Sequence, residues 1–334
     1  MNTASARLPV PAPVAIPAFR SIADTWELSS ADRDGVLVVT LDAAEVLVRG
    51  EGDGTRVQID AGDAATLQVL RDLLTEQFVE HGLTPAWEGA RTGRCPANLS
   101  LAVVTGVERI SPSYTRVTLE GPDLARFATG GLHFRLLFGP EGAGWPEADD
   151  NGVTQWPGGA AAWHRPVYTT REIICDGRAA RLSFDVFLHE GGLVSTWTES
   201  VVPGDEIALT GPGGDARVNA TPWQAWFGDE TAMPVIARKL ASAAPNTLGE
   251  AMILVPDAGD IQALEHPEGV TLRWVLRGET ATLADAVADL NLPDGQRHVF
   301  FAAEKAEAEA ARELLSAKGL EKREFVAATY WIKG

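Results

Sequence analysis

Cysteine is nearly absent: Cys95 and Cys175 are the only two in 334 residues. Two thiols make no disulfide framework, so both are read as buried or half-buried thiols in a reducing compartment, the cytoplasm. No apolar run reaches the roughly 18 residues that a membrane helix needs. The stretch Met1 to Pro17 has Pro and Ala but no charged segment leading into a long apolar core. It is not read as an export signal, and residues 1–19 are expected to be a disordered tail. Basic charge is scarce as well, with 28 Lys and Arg against 46 Asp and Glu, for a net charge of −18. A field of that sign argues against nucleic acid or an anionic membrane as the main partner. It also obliges any anionic substrate to find a local basic pocket. No Gly-x-Gly-x-x-Gly occurs, so the usual dinucleotide-binding fingerprint is missing. The histidines at 81, 133, 164, 189, 266 and 298 are scattered, and His189-Glu190 runs into two glycines rather than the two-His zinc helix. No resident metal is expected.

What is present divides into three regions. The chain is long enough for two or three domains, and its 45% apolar content supports a sizeable core. Residues 20–90 read as a small α+β domain. Val36 to Leu41, Glu45 to Arg49 and Thr55 to Ile59 have strand patterns, and a helix is expected over 63–81. Leu67, Leu70, Leu74 and Phe78 share one face of that helix, with Asp63 as cap and Gly82 as stop. Glu88 to Ala97 reads as a linker. Residues 97–218 carry short strands between Gly and Pro turns, the pattern of a barrel or sandwich. An insertion, Gly139 to His164, holds Trp145, Trp156 and Trp163, which are expected to pin the loop to the strands. Residues 223–334 alternate strand and helix, which predicts a parallel sheet covered by helices on both faces, including a helix near Ile261.

Three motifs carry chemistry. The first is Arg165-Pro166-Val167-Tyr168-Thr169, read as part of a strand. Arg can fork onto a phosphate, Tyr offers a flat ring to another ring system, and Thr can hydrogen-bond a polar edge. Period-2 counting puts Arg165 and Tyr168 on opposite faces, so a twist or bulge is needed for both to serve one ligand. An ordinary strand with a surface Arg and a half-buried Tyr has the same residues. The second is His189-Glu190-Gly191-Gly192-Leu193-Val194-Ser195-Thr196-Trp197, a strand passing through two glycines into a helix. Free N–H groups at such a helix start suit a pyrophosphate, although a plain turn capped by Ser195 reads equally well. The third is Trp226-Phe227-Gly228-Asp229-Glu230-Thr231, where a strand meets a helix and opens the α/β half.

The order of these motifs, with the ending Tyr330-Trp331-Ile332-Lys333-Gly334, resembles the siderophore-interacting proteins, flavin-dependent ferric-siderophore reductases of the ferredoxin-reductase superfamily. The resemblance implies an antiparallel β-barrel that binds FAD, followed by an α/β parallel-sheet domain for NADH or NADPH, the pair being preceded here by the small α+β domain. That first domain is weakly similar to a small domain of unknown function found fused to such proteins. By resemblance, Arg165 contacts the flavin phosphate, Tyr168 lies against the isoalloxazine, and Val167 and Thr169 complete the strand, with Thr169 on the flavin's polar edge. His189, Gly192, Val194, Ser195 and Thr196 form the pyrophosphate turn, and Asp229, Glu230 and Thr231 sit where the nicotinamide approaches. Arg135 and the terminal Trp331 and Lys333 are implied as contacts for an anionic ferric siderophore. The family commonly reads Tyr-Trp-Arg at its end, so the Ile332-Lys333 of this chain displaces one cation by a residue.

Two further expectations follow. The acidic Pro256-Asp257-Ala258-Gly259-Asp260, after the strand Ala251 to Val255, suits a ribose hydroxyl and repels a 2′-phosphate, which predicts NADH over NADPH. Arg273 and Arg277 work in the opposite direction. A monomer is the expected state. An electron carrier to a protein partner and a ferric-siderophore binding module without reductase activity remain alternatives.

Overall fold

The computed structural model describes residues 2–26, 28–41, 43–80, 82–83, 85–89, 94–214, 220–278 and 282–333. Packing divides the chain into two compact units. One comprises residues 1–100, 135–166 and 208–211, and the other residues 101–134, 167–207 and 212–334.

The first unit opens with strand β1 (Asn2–Leu8) and helix α1 (Ala12–Thr25). Strands β2 (Ser29–Arg33), β3 (Val36–Leu41), β4 (Ala44–Glu51) and β5 (Gly54–Ala61), helix α2 (Ala64–Glu80) and strand β6 (Ala86–Gly89) follow. The sheet order is β2-β3-β4-β5-β1-β6. The expected tail at 1–19 is therefore wrong. β1 pairs antiparallel with both β5 and β6, and Ala4, Ala6 and Leu8 are buried while Thr3, Ser5 and Arg7 alternate with them toward the other face. The period-2 pattern is there, but two alanines and one leucine, followed at once by a Pro-rich stretch, make a weak signal. Helix α2 arises from its stripe: Leu67, Leu70, Leu74 and Phe78 are all buried in the core shared with the sheet. Asp63 Oδ1 accepts from the Thr66 N–H at 2.8 Å, satisfying one of the donors that a helix start leaves open.

Next in sequence come β7 (Leu99–Arg109), β8 (Tyr114–Gly121), β9 (His133–Leu137), the short hairpin β10 (Glu147–Ala148) and β11 (Thr154–Gln155), and β12 (Val167–Thr169). β13 (Glu172–Asp176), β14 (Ala179–Phe187), α3 (Leu193–Ser200) and β15 (Glu206–Gly213) complete this region. Seven of these strands form a half-barrel sheet in the order β12-β9-β15-β7-β8-β14-β13, antiparallel where β7, β8, β14 and β13 lie side by side. Trp145, Trp156 and Trp163 of the insertion gather against Leu99, Leu137 and Ala208. Both cysteines are exposed rather than buried. Cys175 lies on β13, the last strand of its sheet, whose side chains have few neighbours.

The α/β half consists of β16 (Trp223–Gly228), α4 (Met233–Ser242), β17 (Leu248–Val255), β18 (Val270–Leu276), α5 (Leu283–Asp289), β19 (Arg297–Glu304), α6 (Lys305–Ala317) and β20 (Phe325–Trp331). Its strands are parallel, in the order β18-β17-β16-β19-β20. Neighbouring residues serve opposite faces: Trp226 and Phe300 pack with α4, and Phe227 and Phe301 with α5 and α6. That is why these strands read as unbroken apolar runs. Gly228 is required here, because a Cβ on it would lie 2.7 Å from Ala232 Cβ and Ile236 Cδ1 of the following helix segment. The helix expected near Ile261 is only a 3₁₀ turn, Ala258–Asp260, with Asp257 accepting from the Gly259 N–H at 2.7 Å. No described helix is long and apolar enough to cross a membrane.

Candidate functional site

A cleft of ≈ 320 Å³ opens in the second unit between β12, the end of β14, the loop after β16 and the end of β20. Val167, Tyr168 and Thr169 face it from one side, and Glu230, Thr231 and Tyr330 from the other. A hollow of ≈ 600 Å³ lies at the amino ends of β16, β17 and β18, around Trp223, Gly249 and Thr271. Ligands of open parallel sheets bind beyond the carboxyl ends of the strands, where the strand order reverses. Here the order reverses at β16, between β17 and β19, and its carboxyl end leads into Asp229, Glu230 and Thr231. The smaller cleft is therefore the candidate site.

The wall from the half-barrel is aromatic. Tyr168 is half-buried and packs on Phe184 with ring centroids 5.1 Å apart. Burial pushes its phenol above the usual range, so it stays protonated. Below it, Asp185 has a fully buried side chain held by Arg116 through two bonds of 2.7 and 2.9 Å, with Arg171 at 3.5 Å. A buried carboxylate needs such partners, since unpaired it would carry a large desolvation penalty. His133 lies between the two halves of the cleft. Its Nδ1 is 3.1 Å from Thr169 Oγ1 and its Nε2 is 3.3 Å from Tyr330 Oη. Burial, helped by the charge of Lys239, lowers the imidazole to about 4, so the ring is neutral at physiological pH.

The two-glycine turn after β14 leads into α3. Gly191 has φ +73°, and Gly192 precedes α3 with no side chain capping it. Ser195 does not cap the helix; its Oγ accepts from the His189 N–H at 3.1 Å and so folds the turn. A Cβ on Gly192 would lie 2.7 Å from the His189 ring and 2.8 Å from Ser195 Oγ. Val194 is buried, whereas Thr196 is exposed and donates to the Gly192 carbonyl at 3.1 Å. The Gly192 N–H donates to the His189 carbonyl at 3.2 Å, and the first N–H groups of α3 have no partner within the helix itself, a setting that suits an anion.

The acids of the third motif are tied into the fold. Asp229 is fully buried. Its Oδ1 accepts from the Thr231 N–H and hydroxyl at 2.9 and 2.6 Å, and its Oδ2 accepts from Trp331 Nε1 at 2.7 Å. Trp331, read as a substrate contact, thus clamps the strand end. Glu230 is raised above the usual carboxylate range by burial, although Arg277 pulls it back through two bonds of 2.7 and 2.6 Å. The Tyr114 hydroxyl donates to the Glu230 carbonyl at 2.7 Å. Asp260 is also spoken for: its Oδ1 accepts from Ser111 Oγ at 2.7 Å and from the Ser113 N–H at 2.8 Å. Of the two acids expected at a ribose, only Asp257 is exposed.

The remaining residues fall elsewhere. Arg165 is not on a strand, since β12 begins at Val167, and the parity conflict with Tyr168 disappears with that. It lies in the first unit, exposed, with its guanidinium 4.9 Å from the Trp156 ring centroid. Arg135 is exposed beside it and donates from Nη1 to the Arg165 carbonyl at 2.9 Å. Lys333 is exposed and its N–H donates to Glu304 at 3.1 Å. Sequence reasoning missed His133, Asp185, Arg116 and Arg171 as site residues. The one available signal was a lone carboxylate inside Leu182-Ser183-Phe184-Asp185-Val186-Phe187, an otherwise nearly apolar strand.

These residues fit a flavin: an aromatic wall with Thr169 at its edge, and a turn whose glycine leaves room and whose N–H groups suit a pyrophosphate. The likeness to known proteins runs the same way. Residues 103–216 match the siderophore-interacting FAD-binding domain, and residues 221–334 match the siderophore-interacting protein model. Residues 1–102 lie outside both. The chain is 28% identical to the NADPH-dependent ferric-chelate reductase of Escherichia coli K12 over 68% of its own length and 91% of that protein. It is 29% identical to the ferric vibriobactin reductase ViuB of Vibrio cholerae over 67% of its own length and 86% of that protein. A crystal structure of a siderophore utilization protein from T. fusca superposes with a TM-score of 0.62 at 28% identity, covering 71% of this chain and 93% of that one. With both domain models matched in order over nearly all of residues 103–334, and the cleft formed where their motifs meet, the chain belongs to the siderophore-interacting protein family of FAD-dependent reductases.

Proposed function

We propose that this chain reduces ferric siderophores with electrons from a nicotinamide dinucleotide and so releases Fe(II). The observation that carries this reading is the convergence of Tyr168 and Thr169 with the Asp229–Thr231 corner on one cleft at the switch point of the parallel sheet. When bound, FAD supplies the conversion between a two-electron hydride donor and the single electron that ferric iron accepts. The chain's own residues bind and orient. Tyr168 offers the flat face, Thr169 a polar edge, and the Gly192 turn the N–H groups for a pyrophosphate. Arg165 offers a guanidinium to a phosphate. Asp229, held by Thr231 and Trp331, fixes the corner that a nicotinamide ring approaches. No protein acid or nucleophile is required, and the protonated Tyr168 and neutral His133 add no charge to the cleft wall.

The nicotinamide preference follows from the same edge. Arg277 is engaged by Glu230 and Arg273 by Glu250 at 2.7 Å, while Asp257 is exposed. NADH is therefore the expected donor, although the E. coli relative is named as NADPH-dependent; faster flavin reduction by NADPH reverses the assignment. The substrate is an anionic ferric siderophore, met in the cytoplasm, and Arg135 is its first contact. Purified protein should be yellow, bleach anaerobically with NADH, and yield Fe(II), trapped by a ferrous chelator, from a ferric catecholate. Arg135→Ala should raise KM for that substrate and leave flavin content and bleaching unchanged, with the effect fading in salt. Bleaching without Fe(II) from any ferric siderophore would transfer the assignment to an electron carrier for a protein partner.

A further inference from the structure

Residues 1–100 have no role in the reading above, yet they pack as one unit with the insertion 135–166. The contact is specific. Asp72 of α2 accepts from the Thr154 N–H at 2.9 Å and from the Thr154 hydroxyl at 2.6 Å. Gln68 Nε2 donates to the Gly152 carbonyl at 2.8 Å, and Arg71 Nη1 donates to the same carbonyl at 3.2 Å. Gln68 and Arg71 are buried, and Val153 packs on the core of the small domain. Four hydrogen bonds and the Val153 contact thus grip residues 152–154 at the tip of the β10–β11 hairpin.

The hairpin continues directly into Trp156. That ring packs on Trp163 with centroids 5.5 Å apart and lies under the Arg165 guanidinium. The Arg165 carbonyl in turn holds Arg135. We propose that the N-terminal domain is a positioning module: through Asp72 it fixes the 147–155 hairpin, and so the Trp156 platform that orients Arg165 for phosphate binding. A long side chain on an exposed loop loses rotamer freedom on binding, and a platform fixed in advance reduces that loss. Asp72 is a positioning residue, since it acts only through Thr154 and Trp156. The inference rests on the reading of Arg165 as a flavin-phosphate contact.

The test is the Kd of FAD for the full-length apoprotein. Asp72→Ala and Thr154→Val should each raise it roughly two- to thirtyfold, the span of changes along a coupled path. Asp72→Asn, which keeps an acceptor for the Thr154 amide, should recover part of the loss, and the exposed control Glu76→Gln should bind as wild type. Asp72→Ala combined with Arg165→Ala should be no worse than Arg165→Ala alone. Where Asp72→Ala fails to fold, Thr154→Val carries the comparison. Arg165→Ala weak with Thr154→Val at wild-type affinity overturns the proposal, as does a strictly additive double variant. Wild-type affinity in Arg165→Ala removes the reading of Arg165 itself, and the positioning role with it.

Discussion

His133 makes stability depend on pH in a calculable way. Its folded-state value is about 4 against an ordinary 6.5, with burial as the main cause and Lys239 next. Thr169 and Tyr330 are its hydrogen-bond neighbours, the Tyr168 backbone pulls its value up and Lys239 pushes it down, and no carboxylate is among the groups that shift it. A depressed folded value means that the unfolded chain binds the proton more readily between these limits. The contribution of the neutral ring is therefore complete above about pH 6.5 and is lost as pH falls toward about 4. At roughly 1.36 kcal/mol per unit the full loss is about 3 kcal/mol, of which about 2 kcal/mol has gone by about pH 5. Carboxylates elsewhere titrate in the same range, so the comparison is with His133→Gln, which cannot take the proton. Between about pH 8 and pH 5, wild type should lose about 2 kcal/mol more stability than the variant in denaturant melts. Parallel pH curves, or an imidazole seen by NMR to titrate near its ordinary value, would refute the reasoning.

Other outcomes follow from single contacts. Gly192→Ala brings a methyl against the His189 ring and Ser195 Oγ, so the Ser195–His189 bond that folds the turn must shift and purified protein should carry less FAD, as its visible spectrum would show. Trp331→Phe leaves the buried Asp229 Oδ2 without its 2.7 Å donor and should cost about 1–3 kcal/mol in thermal or denaturant unfolding. Tyr168→Ala removes the flat wall and should weaken FAD retention by about 0.5–1.5 kcal/mol beyond the lost area, measured by flavin release.

Local pattern made a large part of this protein legible in advance. The stripe Leu67, Leu70, Leu74, Phe78 is a helix face whatever it packs on, because the 3.6-residue period is a property of the backbone. The unbroken Ala251-Met252-Ile253-Leu254-Val255 likewise reports a strand buried on both faces. The two glycines after β14 announce a turn into α3: Gly191 takes a positive φ of 73°, and a Cβ on Gly192 would meet the His189 ring and Ser195 Oγ. Pairing at a distance left no such trace. β1 was hidden because the partner that buries Ala4 and Ala6 begins at Gly54, and short alternation has meaning only once that partner is known. Asp260 reads as a free acid until Ser111, 149 residues away, takes it. Trp331 reads as a substrate contact until it meets Asp229, 102 residues away. His133 and Tyr330 are 197 residues apart, and nothing near either one indicates a neutral imidazole between them. Sequence determined which residues can bind, turn or bury; the tertiary fold decided which of them are already engaged, because a hydrogen bond is spent on whichever partner the packing brings within about 3 Å.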